Sequence, residues 1–559
     1  MSQASLPVEI WIRILCNLPC NTLLGLKQVS KTFYHLIETD PRVQYALQLD
    51  MAGCEDVGSS GKPIQDRLNY LKSIETSFKT GSLLTKAWIP INGGTRAYEL
   101  QGGVYAQERH CEDGNSQKSG INVCRLPSLL HPGASWSLPD FEYWLTDFTL
   151  NPHDDLLVTV EKSRSSFDRP WIILRFLSLT DGYRHQQSYG PVRIQSDHCD
   201  SRQHFIIHIM GDFVGLLTLK WHFFIVNWKT GTFHTRSDHD PKDPIHDFFF
   251  LDNTRFVLVR GQREPPEFEI YSFHHSGDDR SQPTLLAVYH LPRTVEPVQN
   301  ITCRIDPPSF LPRSPGGGSQ TKFGHLPFYP RLEDRAIVVC IDVNMHGSSM
   351  SYTLVTRASS LFKVRNGVKS EARGSNGEEI PVVEGKLWMK ETFFIHGGLA
   401  NNYSCHVYGS RFLLLHSTQL DENEASPGGN DTRIYDYALT IADVNPVMVA
   451  WVRSRLASRG DPVLAPPFDE DEIRQRMQQD QYRVINSNPV KTRCCVEEGW
   501  TGELSIALTT LSLPRESVVG MIDGERVLTI RKDADWRERG RTGALHIHTH
   551  ELNRTPTIG

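Results

Sequence analysis

Beyond about residue 83 the chain is punctuated by short apolar runs of strand length, each bounded by turn residues. Examples are DLLVTVE (155–161), WIILRFLSL (171–179), HFIIHIM (204–210), WHFFIVNW (221–228), RFVLVR (255–260), RAIVVCIDV (335–343), RFLLLH (411–416) and ERVLTI (525–530). Runs this short and this rich in Val, Ile and Phe predict strands. They recur with a period. Strand ends at Gly182, Gly231 and Gly277 lie 49 and 46 residues apart, each preceded by paired strands. A period of 40 to 50 residues with four strands per unit is the pattern of propeller blades, because one small sheet cannot cover its own apolar faces and must stack on its neighbours. At that period the rest of the chain would hold roughly ten units. Insertions near 306–321, 366–380 and 421–433 reduce the expectation to six or seven blades. The rival arrangement is two β-sandwiches. A helix is expected at 468–480, and Trp171, Trp221, Phe223, Phe224 and Trp228 are expected to be blade core.

The first 80 residues follow another rule. Residues 6–37 contain 18 hydrophobic residues among 32, against 39% for the whole chain. The period is helical, with Trp11, Ile14, Leu15 and Leu18 on one stripe, while Ile10 and Ile12 make the first helix apolar nearly all round. Pro7 suits the first turn, Pro19 is expected to end the first helix, Ser30 to cap a third, and Asp40-Pro41 to open a fourth. Some 40 residues cannot bury that much apolar surface among themselves. Either the segment packs onto the rest of the chain, or it keeps a face for another protein. Residues 51–62 read as a loop. Residues 63–78 read as a connecting helix with Leu68, Leu71 and Ile74 on one stripe and Gly81 beyond its end. The expected organisation is therefore 1–50, 51–82 and 83–559.

The segment resembles the F-box. Leu6-Pro7-x-Glu9-Ile10, Ile14-Leu15-x-x-Leu18-Pro19, Leu23-Leu24-x-Leu26 and Val29-Ser30-Lys31-x-Phe33-x-x-Leu36-Ile37 fall in the order and spacing of that family. Gln28-Val29-Ser30 departs from it where many members carry Cys or Arg before Val. The resemblance implies a three-helix module that docks on the Skp-family adaptor of Skp–cullin–F-box ubiquitin ligases. It assigns the contacts to Leu6, Pro7, Ile10, Ile14, Leu15, Leu24, Val29, Lys31 and Phe33. The order of F-box, linking helix and divergent propeller-like region is similar to expanded F-box families of basidiomycete fungi. It implies a substrate receptor that reaches a cullin through the adaptor and holds an unknown protein target on the array. The alternative is an adaptor-bound scaffold that delivers no target. Accumulation of the target on depletion of this protein separates the two.

Composition excludes other classes. Net charge is -6 and basic runs such as 531–541 carry interleaved acids, so no electrostatic footprint for nucleic acid or anionic lipid is expected. No apolar run approaches the length of a membrane-spanning helix. Eleven cysteines without C-x-x-C spacing fit reduced thiols, and hence a cytoplasmic or nuclear setting. The sequons at Asn300, Asn402, Asn430 and Asn553 are expected to be chance matches. No G-x-S-x-G, H-E-x-x-H or G-x-x-x-x-G-K-[ST] pattern occurs, and the Asp469–Glu472 run reads as a solvated face. No catalytic residue, metal or cofactor is expected. His546, His548 and His550 share one strand face but lack a carboxylate partner or second cluster.

Overall fold

The structure is a computed structural model. It describes residues 6–57, 61–81, 84–91, 97–110, 119–128, 132–162, 171–195, 205–218, 222–238, 243–273, 283–294, 296–306, 326–345, 348–362, 369–372, 379–388, 391–396, 406–419, 435–459, 482–486, 504–511, 517–532 and 543–549. Five helices open the chain: α1 Val8–Leu15, α2 Cys20–Val29, α3 Lys31–Thr39, α4 Pro41–Ala52 and α5 Ile64–Thr80. The sequence predicts their caps well. Ser30 Oγ accepts from Phe33 N at 3.2 Å, and Asp40 accepts from Arg42 N with Pro41 in the first helical turn. Gly53 and Gly81 close α4 and α5 at φ 65° and 62°, the left-handed conformation that costs glycine least. Pro19 caps the start of α2 instead of ending α1, which stops at Leu15.

The remainder is β-rich. Among the described residues it forms seven antiparallel-based sheets of four to six strands, numbered here by their first strands: Tyr98–Gln101, Leu145–Asn151, Phe205–Met210, Ile245–Phe250, Val298–Ile305, Val407–Tyr408 and Ser517–Ile522. Consecutive first strands touch one another from sheet 1 through sheet 7, so they form the inner wall of a propeller-like ring, as the period predicts. Sheet 7 draws on both ends of the array. Leu84–Ile91, which precedes sheet 1, pairs antiparallel with Gly543–Thr549. A sheet built from both ends removes a free edge and staples the ring without a covalent bond. Two packed sandwiches would show neither feature.

The repeat has a structural basis. Gly182 (φ 76°) and Gly231 (φ 73°) make the same turn, each donating its N–H to a carbonyl four residues back, Ser178 and Asn227, at 2.8 Å. Gly277 lies outside the described residues. A second repeated device sits on the inner strands of sheets 2 and 4. Each has a bulge just before a Phe, at Leu145/Asp147 and Ile245/Asp247, and each Asp carboxylate accepts from the following Phe N–H at 2.9 and 2.8 Å.

The expected insertion at 366–380 contributes two strands of its own among the described residues. Lys369–Ala372 and Glu379–Val383 are strands that cross over and extend sheet 4, with Val288 and Tyr289 pairing in parallel to Val382 and Val383. A helix at Pro446–Arg459 was not predicted, although Asn445 caps it (Oδ1 accepts from Val447 N, 2.9 Å) and Val449, Val452 and Leu456 make its buried stripe. The 468–480 helix and most of the insertions 306–321 and 421–433 fall outside the described residues, as does Trp221. Phe223, Phe224 and Trp228 are core, with Trp228 Nε1 donating to Gly211 O at 3.0 Å; Trp171 is only half-buried. Among the described residues no helix is long and apolar enough to cross a membrane, and no group of three His, Cys, Asp or Glu could hold a metal.

Adjacent sheets approach closely where side chains are small. A Cβ at Gly215 in sheet 3 would stand 2.5 Å from the ring of Phe248 in sheet 4, itself fully buried. Gly215→Ala should therefore cost about 1–3 kcal/mol by overpacking. A urea midpoint equal to that of the unsubstituted protein would refute the close packing.

Candidate functional site

The helical module has a core of its own. Ile12, Leu15, Leu23, Ile37, Val43 and Leu47 pack together, with Leu18, Leu26, Phe33 and Leu36 partly buried around them. Trp11 meets Phe33 edge-on at 5.2 Å. Within α1 the inward pair is Ile12 and Leu15, not the Trp11–Ile14–Leu15–Leu18 stripe. Of the residues assigned to adaptor contact, Leu15 is 1% exposed and belongs to this core; its period matches the docking face, but packing against α4 has claimed it. Phe33 is half-buried. Leu6, Ile10, Ile14, Leu24 and Val29 are 40–71% exposed, and Pro7 and Lys31 are exposed beside them. Val8 and Tyr34, which the sequence reading passed over, are exposed as well.

Seven large apolar side chains thus stand in water on one module of about 45 residues. Only four other large hydrophobics in the described chain are comparably exposed: Tyr183, Tyr189, Leu286 and Leu387. A concentration of this kind marks an interaction surface. Covering each half-exposed chain is worth on the order of 1 kcal/mol at 25 cal/mol per Å².

The module's other side is joined to the array. Asp50 at the end of α4 accepts from Cys20 N at 2.6 Å and pairs with Arg331. Burial opposes that charge, but the Cys20 N–H and the Arg331 guanidinium hold the Asp50 carboxyl below its ordinary value. Cys54–Asp56 forms a two-stranded ribbon with Phe328–Pro330 of the array. Asn445 Nδ2 donates to Met51 O at 2.9 Å. From α5, Leu68, Leu71, Ile74 and Phe78 share a core with Leu413, Leu439, Ile441, Ile522 and Val527 of sheets 6 and 7. Glu75 of α5 takes two hydrogen bonds from Arg411 (2.6 and 2.7 Å), whose Nε also reaches Asp443 at 3.1 Å. Tyr70 donates to Glu525. The linking helix is therefore part of the array's structure, and it presents the module at a set position.

A family model for the F-box domain matches residues 4–45. The chain is an F-box protein. No curated protein matches it. Solved structures similar to it include a fragment of HIRA (residues 644–1017), at 11% identity and a TM-score of 0.22, covering 34% of this chain and 56% of that one. The WD40 domain of Toxoplasma gondii coronin is similar at 8% identity and a TM-score of 0.32, covering 84% and 88%. The propeller reading rests on the strand pairing above. Within the F-box, the exposed face is built by α1 and α2 together with the start of the chain. The module's apolar excess is divided between a closed core and this open face.

Proposed function

We propose that this F-box protein is the substrate receptor of a Skp–cullin–F-box ubiquitin ligase. F-box domains generally bind Skp-family adaptors, and the face of Leu6, Ile10, Ile14, Leu24 and Val29 is the surface that adaptor would cover. The single observation that carries the reading is that this face stays open while the opposite side of the module is locked to the array. The adaptor would bring a cullin. The array would hold a protein target, and the chain's part in ubiquitin transfer would be proximity, raising effective concentration without chemistry of its own. The working compartment would be cytoplasm or nucleus.

A Leu24→Asp plus Val29→Asp variant of the full chain tests this. Both residues are exposed, so the fold should survive. Each charge would be buried unpaired at the contact, and adaptor capture in a pull-down should fall at least about 100-fold. Capture unchanged by the two substitutions ends the receptor reading.

A further inference from the structure

The inner strands of sheets 1, 2, 3, 5, 6 and 7 line a partly open cavity of about 230 Å³ on the axis of the array. That is smaller than the roughly 300–1,000 Å³ of pockets that take drug-sized ligands, and it suits one side chain or a small amine. Its wall is rich in acceptors. Glu99 and Asp147 line it from adjoining inner strands. Glu99 accepts from Thr149 Oγ1 at 2.9 Å and Asp147 from Phe148 N at 2.9 Å. Among the described residues neither pairs with a cation, and buried Glu108 adds a third carboxyl near Asp147. Two other charges of the wall are matched by ion pairs, and a third, Asp306, accepts from Gly409 N at 3.2 Å and is pushed up to about 7 by burial. Asp523 has Arg526 at 3.0 Å, Asp306 has Arg335 nearby, and Arg304 is set against Asp247 at 3.4 Å.

A second observation is independent of the acids. Gln101 lines the cavity and is 7% exposed, yet among the described residues its side-chain N–H group has no hydrogen-bond partner. Nε2 of His208, also in the wall and shut from solvent, has none either. Buried polar groups are almost always satisfied, so these two are the groups of the wall that an occupant could pair with.

We propose that the axial cavity binds one organic cation, an ammonium or guanidinium group on a short chain, held by Glu99 and Asp147 with an acceptor of the same ligand against Gln101. A metal ion fits the wall poorly, since no three ligands converge among the described residues. An anion would meet unpaired carboxyls. Burial supports the picture from another side, pushing Glu99 up to about 8, with Asp147 raised to about 7 mainly by the same cause. Groups shifted this way hold protons near neutrality, and a cation must displace them. Binding should therefore strengthen as pH rises from 6 to 8. The site does not depend on adaptor docking.

The test uses the full chain without any partner. Agmatine and N-acetyl-arginine amide are titrated calorimetrically at pH 8 and pH 6. Saturable one-to-one binding is expected, tighter at pH 8, and weakened about tenfold or more by Glu99→Gln plus Asp147→Asn. Both are neutral isosteres, so the fold should hold; Glu99→Gln alone serves if the double variant melts early. Gln101→Leu should weaken the amide, which carries carbonyl acceptors, more than agmatine. If the amide binds tighter, the natural occupant is a basic side chain of a protein; if agmatine does, it is a free amine, and either result upholds the cation site. Absence of saturable binding overturns the proposal, as does binding that the double variant leaves intact or that calcium abolishes by competition.

Discussion

Glu75→Ala should lower the unfolding free energy by about 3–5 kcal/mol, the cost of leaving one partner of a buried ion pair behind. Glu75 is 7% exposed, Arg411 8% and Asp443 4%, so the guanidinium would keep Asp443 at Nε while its far nitrogen lost both acceptors with little water to replace them. It lies over the Phe78 ring at 4.6 Å, a contact that does not replace a carboxylate. Glu75→Gln keeps the shape and one acceptor, and should cost less, about 1–3 kcal/mol. The measurement is the urea midpoint of each variant, with hydrogen exchange of the α5 amides. Because the pair is dry, 1 M salt should change the ranking little. Midpoints of both variants equal to that of the unsubstituted protein would show that charge pairing does not hold the linking helix. The functional consequence follows from the geometry. Freeing α5 releases the F-box from a fixed position over sheets 6 and 7, and in the proposed receptor the array would then no longer present a target at a set distance.

Neighbouring leucines on α2 should behave in opposite ways. Leu23 is fully buried and Leu24 is 42% exposed. Leu23→Ala should cost about 2–5 kcal/mol through lost contacts and a cavity among Ile12, Leu15, Ile37 and Val43. Leu24→Ala should leave stability within about 0.5 kcal/mol. Both should weaken adaptor capture, the first by melting the module and the second by removing a contact. Hydrogen exchange across α1–α3 separates the causes: fast exchange in Leu23→Ala, unchanged exchange in Leu24→Ala. Identical exchange in the two variants would mean that the division between core and open face is wrong. Leu15 belongs with Leu23, so a charged substitution there reports on folding and not on docking.

Much of this molecule is legible along the chain because its signals are local. A period of two marks the strands, left-handed glycines mark their turns, and Ser30, Asp40 and Pro63 mark helix starts within a few residues of the groups they serve. The helix at 446–459 has local signals too, an Asn-Pro start and an i, i+3, i+7 stripe, set among strands that share its apolar content. The inward face of α1 was not legible. A helix apolar nearly all round offers several stripes of equal promise, and only packing against α4 selects Ile12 and Leu15. The strands Lys369–Ala372 and Glu379–Val383 lie within the expected insertion, and their place beside sheet 4 is not legible because it comes from a crossover.

Taken alone, the order of residues determined that a small helical module with surplus apolar surface precedes a repeating array of four-stranded units, since each of those features is set by neighbours within about 50 positions. Tertiary structure alone decided which apolar side chains are spent on the core and which stay open. It also decided that Tyr70 meets Glu525 and Glu75 meets Arg411 across hundreds of residues, and that uncompensated carboxyls from two strands share one small cavity. Those outcomes depend on closing the ring, and contacts between distant segments carry no local periodicity from which they could be read.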